Sequence, residues 1–278
     1  MKLNFKFLIT AILITVQSSV LCGNQTISNE EKAGKFGSLV NAYNEGRKGY
    51  DSRIYDKICT YVNQDESVLD IGCGTGLSTA PLFDRFEAIN VHGCDHDQIM
   101  LDSAQKNLKG REAQFKLGTA KKNGLPYENG KFGLVTMFMS FHWFCNAEAA
   151  EEISKKLKDK GYVYIVGGIG RPCQEKVNEI MERILNCKMV DPKENYHPEQ
   201  VLTDNGFTLV EKGIIPIQEQ YTVKKAVERT KSSSYWNYVG KDKEKETAEA
   251  LEEMYNQEAK DGFVYNINNQ EYMIFQKN

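Results

Sequence analysis

Apolar positions in this chain fall into two alternating rhythms. Short β-rich runs occur at 66–71, 89–95, 113–118, 131–137 and 160–167, and segments with helical spacing lie between them at 76–86, 98–109 and 147–158. A strand followed by a crossover helix and another strand builds a parallel sheet covered on both faces, so this rhythm predicts a doubly wound α/β fold. Further helices at 174–188 and 198–204 lead to a strand at 206–217, and a last strand spans about 263–275. Between these two strands, residues 222–260 are helical in pattern and dense in Lys and Glu. They read either as a helical lid or as a solvated helical surface. A helical pattern also begins near Phe36, ahead of the first strand, which divides the chain into a polar segment and helical cap at 23–64 and a main domain at 65–278.

The first 22 residues stand apart from this rhythm. Lys2 and Lys6 precede the apolar run Phe7 to Val16, and Gln17 to Cys22 lead to a cut expected at Gly23. This is the layout of a secretory signal peptide, and the run is short for a membrane-spanning helix. Export or secretion is therefore expected, with an uncleaved anchor as the alternative and no stable membrane insertion of the remainder. An Asn-Gln-Thr sequon at Asn24 follows the expected cut.

At 278 residues and 41% apolar, the chain is long enough to bury a full core, and its net charge of −3 offers no overall basic field for nucleic acid. The cysteines after the expected cut, at 59, 73, 94, 145, 173 and 187, form no close pairs and read as buried thiols. Cys73 and Cys94 fall near the ends of neighbouring strands, where a single bridge is conceivable. The histidines at 92, 96, 142 and 197 have no zinc-like spacing, so no metal is expected.

The chemistry begins at Val68-Leu69-Asp70-Ile71-Gly72-Cys73-Gly74-Thr75-Gly76. An apolar strand here ends in an acid and runs into three alternating glycines. Side chains at Gly72, Gly74 and Gly76 would keep a ligand off the backbone, and glycine permits the positive φ of a sharp strand-to-helix turn. Nineteen residues after Gly76, a second strand ends at Asp95, the distance at which a doubly wound fold puts an acid on a ribose. The spacing is G-x-G-x-G, with Leu77 where the third glycine of a nicotinamide fingerprint would fall. Asp70 beside the turn would repel a pyrophosphate and favour a cation. A ligand cationic near the first strand and carrying a ribose near the second matches S-adenosylmethionine.

With these segments in order, the chain resembles a class I S-adenosylmethionine-dependent methyltransferase of the small-molecule, type 11-like kind that includes trans-aconitate methyltransferases. The resemblance rests on VLDIGCGTG at 68–76, CDHDQIMLDSA at 94–104, and the stretch from Leu117 to Phe144 ending in His-Trp-Phe. It implies a Rossmann-like seven-stranded mixed sheet of order 3-2-1-4-5-7-6, with the final strand antiparallel. It also implies that Asp70 faces the methionine end of the cofactor, directly or through water, and that Thr119 and Ala120 lie against adenine. The segment Tyr43 to Tyr50 resembles a stretch of the family's cap, with Lys48 in place of a proline. Gly133 departs from the family's usual acid.

Candidate cofactor-binding residues are therefore Asp70, Gly72, Cys73, Gly74, Gly76, Asp95, His96, Met100, Thr119, Ala120 and Ser140. Asp95 can accept one hydrogen bond per carboxylate oxygen from vicinal hydroxyls. Tyr43, Tyr50, Trp143 and Phe144 are candidate walls of a substrate pocket. His142, beyond the fourth strand, is either a general base or a positioning residue, and Arg47 is a candidate partner for a carboxylate of the acceptor or the cofactor. The expected activity is methyl transfer to a small organic molecule, a carboxylate among the candidates. The alternatives are an NAD(P)-dependent oxidoreductase, which the glycine spacing opposes, and a secreted, non-catalytic S-adenosylmethionine-binding protein.

Overall fold

The computed structural model describes residues 20–22, 25–27, 36–111, 114–168, 170–186, 188–189, 193 and 195–278. The expected signal segment up to residue 19, the cut site at Gly23 and the sequon at Asn24 lie outside them. A short hairpin pairs Val20–Cys22 with Gln25–Ile27.

Seven strands form the main sheet: β1 Val68–Ile71, β2 Val91–Asp95, β3 Gln114–Leu117, β4 Phe132–Phe138, β5 Leu157–Val166, β6 Phe207–Thr222 and β7 Phe263–Lys277. Their order is 3-2-1-4-5-7-6, as expected. The first five run parallel, and β7 enters antiparallel between β5 and β6. Strands β1, β2 and β4 are buried along their whole length, which the helices on both faces make possible. Period-two alternation sorts their side chains. Leu69, Ile71, Val135 and Met137 join one core with Ala149 and Ile153, while Val68, Leu134 and Phe138 join another with Ile54, Tyr55 and Tyr164.

Helices α1 Val40–Gly46 and α2 Ser52–Ile58 form the cap, and α3 Gln98–Asn107 and α4 Ala147–Lys156 lie where the spacing predicts. Their starts follow from capping: Asp51 accepts from Arg53 N, Asp97 from Ile99 N and Met100 N, and Asn146 from Ala149 N. The helix expected at 76–86 is replaced by turns and a single 3-10 segment, Ala80–Asp84. Pro81 has no N–H to continue a helix, and the Ser78 and Thr79 hydroxyls bond to Asp70 instead.

Helices α5 Gln174–Leu185 and α6 Pro198–Thr203 precede β6, and α7 Val223–Lys231 and α8 Glu244–Glu258 follow it. The helical stretch 222–260 is a packed lid. Val177, Met181, Tyr221, Val227, Trp236, Leu251 and Tyr255 make a third core with Leu39 of the cap. Strand β6 runs five residues past its expected end because it pairs with β7 throughout. Cys59, Cys73, Cys94, Cys145 and Cys173 are free thiols, so the Cys73–Cys94 bridge is not formed. Among the described residues no helix is long and apolar enough to cross a membrane.

Candidate functional site

Two adjoining cavities open at the carboxyl ends of β1, β2 and β4, the edge at which open α/β sheets bind ligands. The first, about 370 Å³, is bounded by Gly72, Gly74, Asp95, His96, Met100, Thr119, Ala120 and Ser140, and closed by Phe36, Tyr43, Trp143 and Phe144. The glycine turn that forms its floor needs glycine for two reasons. Gly72 and Gly74 adopt φ of +73° and +54°, and a Cβ at Gly72 would fall 2.4 Å from Ser140 Cβ. Asp95 is fixed at the other side by Gly74 N, which donates to Oδ2 at 2.9 Å, and Asp97 N, which donates to Oδ1 at 3.0 Å. His96 Nδ1 lies 3.3 Å from Oδ1. Each carboxylate oxygen accepts one backbone N–H, and Asp95 itself borders the cavity.

The cap closes this cavity from above. Gly37 N donates to Asp97 Oδ2 at 2.6 Å, Asn44 Nδ2 donates to Ser103 Oγ at 3.0 Å, and the Phe36 ring meets Trp143 edge-on at 5.6 Å. A Cβ at Gly37 would fall 2.7 Å from Asp97 Oδ1, so the joint requires glycine.

The second cavity, about 400 Å³, lies beneath the lid and is lined by Tyr50, Cys73, Arg171, Lys193, Glu219, Arg229, Asn268 and Gln270 among others. Tyr43, Arg47, Gly72, Phe138, Met139, His142 and Arg171 belong to both walls and mark the junction. Met139 there holds a left-handed φ of +49°, which an unbranched L residue adopts only where its surroundings enforce it. Its amide donates to Val166 O at 2.7 Å, tying the strained residue to β5.

Burial, with Lys193, Arg171 and Arg47 nearby, pushes the His142 imidazole down to about 3. The ring is therefore neutral at physiological pH, with one nitrogen able to donate and the other to accept a hydrogen bond. Arg47 donates through Nε to Ser232 Oγ at 2.9 Å and through Nη2 to Ser232 O at 3.0 Å, and its guanidinium stacks over Tyr43. Burial and the neighbouring Arg229, with Arg171 adding, push Arg47 down to about 9. Tyr50 is held a neutral phenol by burial and packs on Phe138.

Three expected roles change. Asp70 is fully buried and lines neither cavity; its Oδ2 accepts from Ser78 and Thr79 at 2.8 Å each, and its Oδ1 from Thr136 at 3.0 Å. It braces the glycine turn and supplies charge from beneath, with burial raising its carboxyl to about 6 against these three donors. Gly76 also lies away from both cavities. A Cβ there would meet Leu108 Cδ1 at 2.8 Å, so Gly76 supplies the close helix packing expected of a third glycine. Trp143 and Phe144 wall the first cavity rather than the second, because after the 3-10 turn Phe141–Trp143 the Trp143 ring meets Phe36 and Phe144 packs on Phe141.

The second cavity also draws on residues that sequence reasoning passed over: Arg171, Lys193, Glu219, Arg229, Asn268 and Gln270. One signal was present. Asn266, Asn268 and Gln270 alternate along β7, an interior strand, where a polar stripe has to face a site or a partner.

The family model described as a methyltransferase domain matches residues 68–161. An uncharacterized methyltransferase of Mycobacterium bovis is 30% identical over 141 residues, covering 51% of this chain and 55% of its own length. The chain spans about half the length of the curated relatives it matches first. Among solved structures, the YcgJ protein of Bacillus subtilis superposes with a TM-score of 0.52 at 19% identity, covering 82% of this chain and 99% of that one. Phosphoethanolamine N-methyltransferase 2 of Haemonchus contortus superposes with a TM-score of 0.51 at 15% identity, covering 90% and 60%. At these identities the two structures speak for the fold.

Proposed function

We infer from the methyltransferase domain matched at residues 68–161, together with the seven-stranded sheet and its two cavities, that this chain is a class I S-adenosylmethionine-dependent methyltransferase that binds S-adenosylmethionine in the first cavity and methylates a small anionic acceptor in the second. The observation that carries this reading is the junction itself. Two cavities of unlike chemistry meet at Gly72, Met139, His142 and Arg47, one with a carboxylate and apolar walls, the other with several cationic side chains.

The residues of the first cavity fit the cofactor. Asp95 offers oxygens to vicinal hydroxyls, Met100, Ala120, Trp143 and Phe144 offer apolar faces to adenine, and a Cβ at Gly74 would crowd Met100 Cε at 3.3 Å. Asp70 beneath the turn adds a negative charge suited to a cationic methionine end. The bound cofactor supplies an activated methyl on a sulfonium.

The protein's part is alignment and charge. Arg47 stands at the junction to pair with an anionic acceptor, and neutral His142 either donates its ring N–H to a carboxylate oxygen or takes the proton of an acceptor that carries one. A carboxylate acceptor has no proton to lose, and His142 then serves to position it.

Calorimetric titration with S-adenosylmethionine, followed by S-adenosylhomocysteine release with a panel of small carboxylates, hydroxyls and amines, tests the reading. No cofactor binding overturns it. Cofactor binding without release from any acceptor class favours the non-catalytic binding protein.

A further inference from the structure

Arg47 and Arg229 both line the second cavity, one at the end of α1 and the other within α7. Main chain fixes their proximity. Gly46 packs on α7 so closely that a Cβ there would fall 2.3 Å from Arg229 N and 2.4 Å from Glu228 C. Ion pairs among the described residues engage Arg53, Arg85 and Arg111, whereas Arg47 and Arg229 join none. Arg47 gives Nε and Nη2 to Ser232, while Arg229 Nη1 is buried without a hydrogen-bond partner among the described residues.

Glu219, the acid on this wall, makes no ion pair with either and reaches Arg229 only through the Tyr221 hydroxyl that lies between them. Its carboxylate accepts from Tyr221 OH at 3.0 Å, Asn266 Nδ2 at 3.0 Å and Asn268 Nδ2 at 3.3 Å. Lys193, on the same wall, donates to Gly168 O at 3.1 Å and adds to the positive potential. Two neighbouring guanidiniums without a directly paired carboxylate repel one another, and a buried donor without an acceptor is costly. A ligand bringing several anionic oxygens relieves both penalties at once, and the planar guanidinium fork suits carboxylate and phosphate alike.

We propose that Arg47 and Arg229 form a paired guanidinium seat for a compact dianionic group on the acceptor, either two neighbouring carboxylates or a phosphate monoester. Arg229 is then the residue that distinguishes doubly from singly charged acceptors. This rests on the second cavity being the acceptor site.

The test uses the full chain, with and without S-adenosylhomocysteine, and four probes at constant ionic strength: malonate, inorganic phosphate, acetate and malonamide. At ten times its dissociation constant, malonate or phosphate is expected to raise the unfolding midpoint by about 3–5 °C, with acetate and malonamide leaving it nearly unchanged. A response to malonate alone identifies a carboxylate pair; a response to phosphate alone identifies a phosphate group. Arg229→Gln should weaken the responding anion at least about tenfold by calorimetry, and Arg229→Lys, which keeps charge and bulk but loses the fork, should fall between it and wild type. Equal responses to acetate and malonate, or wild-type anion affinity in a folded Arg229→Gln or Arg229→Lys protein, would overturn the proposal. Titrating S-adenosylmethionine into the same samples separates the two readings. Cofactor binding without an anion response removes the seat alone, and an anion response without cofactor binding removes the methyltransferase reading.

Discussion

The Gly74 amide donates to the Asp95 carboxylate at 2.9 Å, so the glycine turn after β1 and the acid ending β2 are parts of one hydrogen-bonded unit. Asp95→Ala should remove a contact to the ligand and loosen the floor beneath it. With charge-assisted hydrogen bonds of roughly 1.5–3 kcal/mol each, S-adenosylmethionine affinity should fall at least about tenfold by calorimetry. Asp95→Asn should be milder toward the fold than toward the ligand. Undiminished affinity in either folded variant would refute the ribose assignment.

His142 gives a kinetic prediction. Because its imidazole is held near 3 by burial and cationic neighbours, it stays neutral above about pH 4, and kcat/KM should show no limb from it near pH 6.5. If His142 positions a carboxylate, His142→Gln should recover much of the rate lost in His142→Ala. If it is a base, both variants should lose about 10²–10⁴ in rate with little change in cofactor affinity. Measurement of S-adenosylhomocysteine release across pH in both variants decides between them, and positioning is the expected result.

Stability should depend on pH through buried groups of opposite sign. His92 is buried between Tyr127 and Phe132 with Nδ1 unpartnered, and burial, with Lys131 and Lys116 adding, pushes it down to about 4. Its unfolded form binds a proton first, so it removes stability as pH falls from about 6.5 toward 4, by at most about 3 kcal/mol. Asp70, raised to about 6, binds its proton first in the folded state and adds stability as pH falls from about 6 toward 4. His92→Phe should therefore gain on wild type steadily below pH 6.5 in urea unfolding. A constant difference between the two from pH 7 to 4 would contradict this.

Gly46→Ala should separate α1 from α7, since a Cβ 2.3 Å from Arg229 N has no side-chain rotamer to relieve it. A cost of about 1–3 kcal/mol is expected from this overpacking. Chemical denaturation measures it, and stability equal to wild type would show that the two helices can move apart freely.

Much of this architecture was legible before any coordinates. The apolar runs and glycine turn led to the strand order, and Gly72, Gly74, Asp95, Met100, Thr119 and Ser140 do meet on one cavity. The helix at 76–86 misled because its apolar spacing ignored Pro81 and the pull of Asp70 on two hydroxyls. Trp143 and Phe144 were read as substrate walls because sequence shows that a loop follows β4 but not which way it turns. Arg171, Lys193 and Arg229 were invisible for a different reason. They come from separate elements, share no local period, and meet only when the lid folds over β6 and β7.

Asp97 joins two structures with one carboxylate: Oδ1 starts α3, and Oδ2 holds the cap at Gly37. One short side chain thus ties the first turn of α3 to the roof of the first cavity, so the two cannot be perturbed separately at this position. A substitution that shortens or neutralises Asp97 should loosen the helix start and the roof together, whatever the cavity holds.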